Sequence, residues 1–222
     1  MKPTTLPLHL RLLALGWLAA VPACSSGGDG DDEPQAPAAL LTPKAALLDA
    51  TGANDFQAES AFETDAGRVL VWDSVSGALV EISSSGAARM FTSAQAIRAL
   101  TGKSTVGLGP LGQIREGSLR GSFLVADSVS GQMLRIGSSG VPALFSSGAQ
   151  ITFITGQSTF QMILPRELTN EQYVAQDLVT HDVLRFASQG TATPFVSAAV
   201  LATAAGVAPA QTTIAQWVRG SG

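Results

Sequence analysis

The sequence has few of the residues that carry most protein chemistry. Its 222 residues include one Cys and two His. A single Cys excludes an intramolecular disulfide, and two His exclude most His-based metal chemistry. Lys and Arg number 13 against 17 Asp and Glu, giving a formal charge of −4. Because no basic excess exists to hold phosphates, nucleic acid is excluded as a partner.

Charge is scarce, at 14% of residues, whereas 45% are hydrophobic. This composition excludes a solvated disordered protein and a polar linker. The length predicts one domain, or at most two.

The amino terminus has the pattern of a targeting segment. Positive charge at Lys2 and Arg11 comes first, and an apolar run follows over residues 12–21. These residues rise about 15 Å as a helix, half of the roughly 30 Å hydrocarbon core of a bilayer. The pattern predicts a signal peptide over residues 1–23 rather than a membrane span.

Cys24 directly follows this segment, and two interpretations remain open. In the first, an ordinary signal peptidase cuts after Ala23 and Cys24 is incidental. In the second, residues 21–25, which read VPACS, resemble a bacterial lipoprotein lipobox. That resemblance implies that Cys24 carries a lipid. The second is favoured because Cys24 is the only Cys, and an exposed free thiol is a liability in a secreted protein.

Residues 24–39 are rich in Gly, Ser, Asp and Pro, as expected of a flexible tether behind a lipid anchor. The lipobox resemblance implies a protein of the bacterial cell envelope, held on the membrane by its N-terminal lipid. Ser25 favours the outer membrane; without the lipid, the protein would be periplasmic or secreted. The acidic cluster at residues 29–33 is interpreted as a solvated linker rather than a Ca²⁺ site, because a disordered run cannot preorganise ligands.

The rest of the chain is an internal repeat. The sequence DSVSG at Asp73 recurs at Asp127, and more loosely as DLVTH at Asp177. The same two offsets relate a set of glycines and a set of phenylalanines, so three blocks align without a gap. These aligned residues are Gly86, Gly140 and Gly190, and Phe91, Phe145 and Phe195.

A second marker predicts a short helix before each block. Ser93, Ser147 and Ser197 each stand nine residues before a Gly, and Thr42 followed by Pro43 occupies the corresponding place before the first. Ser or Thr favours the N-cap, Pro the first helical position, and Gly the residue after the helix. Each helix would have about two turns and would need packing to hold it.

Four short strands are expected in each repeat, in the order of an antiparallel meander. The turns between strands two and three contain the repeated Asp, with an Asx-type bond and a permissive Gly. The predicted strands are residues 56–62, 68–72, 79–82 and a last strand ending at Phe91; 106–114, 122–126, 133–136 and one ending at Phe145; 159–164, 172–176, 183–186 and one ending at Phe195; and a fourth inner strand at 212–218.

Strings such as GRVLVWDSVSGALVEISSSG and GSFLVADSVSGQMLRIGSSG resemble the repeats of NHL, SMP-30-like and TolB-like six-bladed β-propellers. The resemblance implies an all-β fold with short inter-blade helices. It would be a propeller-like arc of three four-stranded antiparallel blades plus one extra inner strand. The domain would span residues 40–222, with repeat units near 42–92, 93–146 and 147–196 and a partial unit at 197–222.

Three blades do not close a ring, since propellers have about four to eight. Two copies of the chain could form a six-bladed ring as a homodimer. The chain could instead be a shortened relative of a longer propeller, or three blades could curl more tightly. The sequence leaves these alternatives open.

Candidate catalytic residues are few. Asp73, Asp127 and Asp177 could face a shared centre, but an Asp before a Ser-Gly turn more often fixes that turn. We therefore assign them, with Gly86, Gly140 and Gly190, structural turn roles. His181, the only His after residue 23, takes the place of a turn Gly and is expected to be exposed. Trp72 and Trp217 are expected to pack between blades.

The family resemblance also implies a divalent metal, Ca²⁺ or Mg²⁺, held by Glu, Asn, Asp or His. Neither Asn, at positions 54 and 170, falls at a repeated site. Four glutamates near the inner strands leave a Ca²⁺ or Mg²⁺ site open, but they form no motif, and the sequence predicts no definite metal or catalytic site. They are Glu59, Glu63, Glu116 and Glu167.

Two functions follow. One is a lipid-anchored binding or scaffold module for a protein or glycan. The alternative is a metal-dependent hydrolase or lyase of the SMP-30-like kind, or a non-functional truncated relative.

Overall fold

The structure, a computed structural model, describes residues 42–157, 160–168 and 171–214. The predicted signal peptide, Cys24 and the acidic tether lie outside these residues, as do Asn170 and Trp217. Within the described part, no helix has the length and apolarity needed to cross a membrane.

The domain consists of three four-stranded antiparallel sheets, or blades, each with its strands in sequence order. This confirms the predicted all-β class and the repeated meander. Blade 1 contains β1 (Ala58–Glu63), β2 (Val69–Asp73), β3 (Ala78–Ile82) and β4 (Ala88–Thr92); blade 2 contains β5 (Gly112–Gln113), β6 (Phe123–Asp127), β7 (Gln132–Ile136) and β8 (Pro142–Ser146); blade 3 contains β9 (Met162–Glu167), β10 (Tyr173–Asp177), β11 (Val183–Phe186) and β12 (Ala192–Val196).

A helix of eight residues precedes each blade, and a fourth follows blade 3. These are α1 (Lys44–Thr51), α2 (Ala94–Thr101), α3 (Gly148–Thr155) and α4 (Ala198–Ala205). Ser93, Ser147 and Ser197 are the N-caps of α2, α3 and α4, and each hydroxyl accepts a backbone N–H three residues on. All four helices end at a Gly with φ of 67–69°, as predicted.

The start of α1 differs from the prediction. Pro43 itself holds the N-cap position, without a side-chain cap bond, and the helix begins at Lys44. The Thr42 hydroxyl is buried without a partner among the described residues. Thr42 as the cap was therefore wrong, because the extended backbone of Pro43 places Thr42 one residue too early to reach the first helical N–H groups.

The inner strands are the elements that the sequence located least well. β1 and β9 begin two to three residues later than predicted, and β5 shrinks to Gly112–Gln113. Upstream of β5 only an isolated bridge joins Leu108 to Asp127. Gly107, Gly109 and Pro110 weaken strand pairing there, because Gly adds no side chain to pack and Pro lacks an N–H.

The predicted fourth inner strand is described only in part. After a 3₁₀ turn at Pro209–Gln211, residues 212–214 are not a strand, and 215–218 lie outside the described residues. Residues 212–214 still sit against blade 3. The buried Gln176 donates from Nε2 to the Thr212 carbonyl at 2.6 Å and accepts at Oε1 from the Ile214 N–H at 2.7 Å.

Successive blades pack face to face with a helix at each junction. Ile97 of α2 lies in the cluster that joins blades 1 and 2, and Ile151 of α3 in the one that joins blades 2 and 3. On the far face of blade 1, Leu47 and Ala50 of α1 pack on Val71 and its neighbours. Trp72 packs at the first junction, as predicted.

The exposure of the three aligned phenylalanines shows how a following blade buries the one before it. Phe91 and Phe145 are 7% and 8% exposed, whereas Phe195 is 45% exposed. Phe123 packs edge-on to Phe91 at 5.9 Å, and Tyr173 does the same to Phe145 at 5.7 Å. No further blade follows Phe195 in the described residues, so its ring is left open to solvent on that side.

The blades present two faces. The turn face carries the four helices and the turns at residues 74–77, 128–131 and 178–181. The loop face carries the connections at residues 64–68 and 114–122 and the turns at Gly86, Gly140 and Gly190. These three glycines have φ of 81°, 84° and 83°.

Candidate functional site

The three repeated aspartates lie at the turn face, where each second strand ends, and all are 0% exposed. Asp127 represents the set. Its Oδ1 accepts from the Gly107 N–H at 2.9 Å and the Val129 N–H at 3.4 Å, and its Oδ2 accepts from the Ser130 N–H at 3.2 Å and hydroxyl at 2.5 Å.

Asp73 and Asp177 make the same four kinds of bond. Asp73 binds the Gln57 N–H at 2.8 Å and Asp177 the Gln161 N–H at 2.9 Å, in addition to the donors of their own turns. Each carboxylate thus ties its turn to the segment that leads into the inner strand. With both oxygens occupied and no exposed surface, these groups cannot reach a substrate.

A small cavity of about 160 Å³ lies where the blades converge. Its lining comes from all three blades, and much of it is backbone and small side chain. The lining residues are Trp72, Gly107, Leu108, Gly109, Ala126, Ser128, Gln161 and Met162. None of the described residues that line this cavity has a titratable side chain, so they supply no acid or base there.

His181 does not have the exposed position that was predicted. It takes the turn place of Gly77 and Gly131 with φ of 62°, and it is half-buried. Its Nδ1 is buried without a hydrogen-bond partner among the described residues. His181 is drawn inward because Gln176 Nε2 donates to the His181 carbonyl at 3.1 Å and also to the Thr212 carbonyl. These two bonds hold the turn against the C-terminal segment.

Charged side chains gather instead on the loop face. Arg115 pairs with Asp65 of blade 1 through Nε and Nη2 at 2.9–3.1 Å, and its backbone N–H bonds Glu167 of blade 3 at 2.7 Å. The hydrogen bonds between these two side chains favour the charged form of each. They lower the pKa of Asp65 and raise the pKa of Arg115. A cleft of about 350 Å³ opens beside this pair. The arrangement joins three blades through one exposed ion pair and one hydrogen bond from a backbone N–H.

The four predicted glutamates do not come together at one place. Glu59 binds the side chains of Gln57 and Ser74 on the turn face, whereas Glu167 accepts the N–H groups of Arg115 and Glu116 on the loop face. In residues 42–157, 160–168 and 171–214, no three His, Cys, Asp or Glu side chains form a group that could hold a metal. The described residues therefore do not fit the divalent metal that the family resemblance implies.

Sequence reasoning missed a buried charge. Glu81 in β3 is 5% exposed and pairs with Arg68 at 2.6 Å and Arg89 at 2.8 Å. The signal was present, because Glu81 stands where the other repeats have Arg135 and Arg185. A reversed charge at an otherwise basic strand position indicates a local partner. Gln176, a polar residue aligned with Trp72 and Ala126, gave a similar signal.

Tyr173, the chain's only Tyr, is fully buried at the junction of blades 2 and 3, and its hydroxyl has no hydrogen-bond partner among the described residues. Burial, with a smaller contribution from Glu167, raises its pKa to about 12.

We expect Tyr173→Phe to raise the free energy of unfolding by about 1 kcal/mol, because an unpaired buried hydroxyl costs more than an apolar edge. Blade 2 already has Phe123 at this position. Urea unfolding at neutral pH measures the change. In the parent protein, the contribution of Tyr173 to stability should be constant below pH 10 and fall as the pH rises towards 12, since the unfolded Tyr ionises there before the folded one. The Phe variant should lack this alkaline loss.

No family model and no curated protein matches the sequence. Among solved structures, the chain is similar to virginiamycin B lyase from Staphylococcus aureus. The catalytically inactive form with quinupristin has a TM-score of 0.49 at 12% identity, and the selenomethionine form 0.48 at 12%. A streptogramin B lyase gives 0.47 at 7%. In each case the match covers 65% of this chain and 42% of the other. The fold itself is given by the three antiparallel blades and their face-to-face packing.

Proposed function

We propose that this chain is a lipoprotein of the bacterial cell envelope whose propeller-like domain serves to bind a protein or glycan. The observation that supports it is the state of the three repeated carboxylates. An SMP-30-like hydrolase needs acids at the ring centre, yet Asp73, Asp127 and Asp177 are buried and saturated by turn hydrogen bonds.

Elemental analysis of purified residues 25–222 tests the choice between binding and metal-dependent chemistry. We expect less than stoichiometric Ca, Mg, Mn and Zn after dialysis without a chelator, because the described residues offer no ligand set. One tightly held divalent ion per chain would contradict the proposal. Addition of Ca²⁺ or Mg²⁺ should also leave the thermal midpoint unchanged, since a ligand stabilises only the state that binds it.

The lipid anchor rests on the sequence around Cys24. In cells, the parent protein should fractionate with membranes and incorporate a labelled fatty acid, whereas Cys24→Ala should do neither. Ser25→Ala is the matched control, because it alters the neighbouring residue and keeps the thiol. A parent protein found wholly in the soluble periplasmic or extracellular fraction would refute the anchor.

The six-bladed ring of two chains stays a prediction, and the structure adds a steric condition to it. Each junction between blades holds one helix, but a junction between blade 3 of one copy and blade 1 of another would contain both α4 and α1. One helix must then move. The solution mass of residues 25–222 measures the outcome: a doubled mass supports the ring, and a folded monomer excludes it.

A further inference from the structure

Exposed apolar side chains recur at the same point of every blade on the turn face. The middle residues of the three turns, Val75, Val129 and Val179, are 49%, 41% and 47% exposed. Phe153 on α3 is 88% exposed and Val200 on α4 is 59% exposed. Single exposed apolar residues are common on protein surfaces. Here, however, the same turn position is apolar and exposed in all three blades, and an exposed Phe lies on the same face.

These residues share one surface. A groove of about 500 Å³ runs between the β6–β7 turn, the first turns of α3 and the end of α2. Val129 and Thr152 both line it, and Phe153 is the next residue of α3. The turn of blade 2 and helix α3 are therefore neighbours, as the repeat geometry requires.

The turns of this face carry no charge at their tips. They read Ser-Val-Ser at 74–76 and 128–130, and Leu-Val-Thr at 178–180. The loop face differs, because it carries the exposed Asp65–Arg115 ion pair and the Glu167 carboxylate, which accepts the Arg115 backbone N–H. The turn tips and Phe153 can therefore enter an apolar medium without themselves desolvating a charge, whereas the exposed Lys44–Asp55 pair and Lys103 on the same face would have to stay at the level of the polar headgroups.

The turn face could be covered by a lipid surface or by another protein. The point at which the N-terminal segment joins the domain favours the lipid surface. The described chain begins at Thr42, at the N-terminus of α1, and α1 belongs to the turn face. Seventeen residues lie between Cys24 and Thr42. A peptide of this length reaches at most about 60 Å. A lipid on Cys24 would thus hold the domain close to the bilayer, with its attachment point on the apolar face.

We propose that the turn face rests on the lipid surface, with Phe153 entering the interfacial region and the valine tips beside it. This inference rests on the proposed lipid anchor. Aromatic side chains favour the membrane–water interface, and the tether supplies the high effective concentration that a weak apolar contact needs. The loop face is then turned away from the membrane and is free to meet the partner.

The experiment uses residues 24–222, whose only thiol is Cys24, coupled to vesicles of phosphatidylethanolamine, phosphatidylglycerol and a maleimide lipid. Phe153→Trp puts a fluorescent probe on the turn face. Val141→Trp is the matched control, because Val141 is 65% exposed but follows Gly140 on the loop face. Both variants contain Trp72 and Trp217, so the emission of the coupled parent protein is subtracted.

We expect acyl-brominated lipids to quench the Phe153→Trp probe and its emission to shift to the blue, while the Val141→Trp probe does neither. Equal quenching of the two probes would overturn the proposed orientation. Absence of quenching in both would overturn membrane contact and leave the turn face to a protein. Because chemical coupling replaces the cell's lipidation, either result is independent of the Cys24→Ala fractionation.

Discussion

Gly140→Ala is expected to lower the free energy of unfolding by about 2–5 kcal/mol. Two costs add. Gly140 has φ of 84°, where an L-residue is strained, and a Cβ there would overlap the Phe91 carbonyl oxygen of the preceding blade. That oxygen belongs to β4, and the Gly140 carbonyl also accepts the Thr92 hydroxyl at 2.9 Å. The strand cannot retreat without opening the junction.

Gly102→Ala separates these costs. Gly102 has φ of 69°, and a Cβ added there would meet nothing within 4 Å, so this position reports backbone strain alone, about 1–2 kcal/mol. Gly190→Ala should match Gly140→Ala, because its Cβ would overlap the Phe145 carbonyl. Urea unfolding followed by circular dichroism gives all three values. If Gly140→Ala costs no more than Gly102→Ala, the close approach of the blades is wrong.

The second large effect is expected at Asp127. Asp127→Ala should cost about 3–5 kcal/mol, because it removes four hydrogen bonds and leaves the Gly107 and Ser130 N–H groups without their acceptor. Asp127→Asn keeps one carbonyl oxygen but turns an NH₂ towards other donors, so about half that loss is expected. Equilibrium urea unfolding measures both changes.

Ser128→Ala is a useful control for Asp127. Ser128 lies in the same turn and bonds the Gly107 carbonyl at 3.0 Å, but it does not contact the carboxylate. A loss below about 1 kcal/mol is expected for this exposed hydrogen bond. If Asp127→Asn leaves stability unchanged while abolishing binding of a partner, the carboxylate has a functional rather than a structural role.

These experiments bear on how function is divided between the two faces. The turn-face carboxylates hold the blades, whereas the Asp65–Arg115 pair on the loop face is exposed and its cleft of about 350 Å³ is open. If the proposed orientation holds, the protein or glycan partner that we propose would meet charged, exposed groups on the loop face. In the proposed orientation the turn face lies on the lipid, and the loop face points away from the membrane.

Much of the fold could be predicted because it is encoded locally. The Asp turns, the Ser caps and the Gly ends each need one residue type within a few positions, and these recur at fixed offsets. The inner strands were placed less well. β5 pairs over only Gly112–Gln113, because Gly107, Gly109 and Pro110 weaken the pairing upstream, and its register is set by β6.

The sequence by itself determined the repeat unit: the strand order within a blade, the turn chemistry and the short capped helices. Only the tertiary structure decided which residues at aligned repeat positions have the same burial and the same neighbours. Phe91 and Phe145 are covered while Phe195 is open, and Gly140 must be Gly because another strand's carbonyl lies against it. The physical reason is that hydrogen bonds within a turn are local, whereas burial depends on the blade packed alongside, which the repeat pattern does not specify.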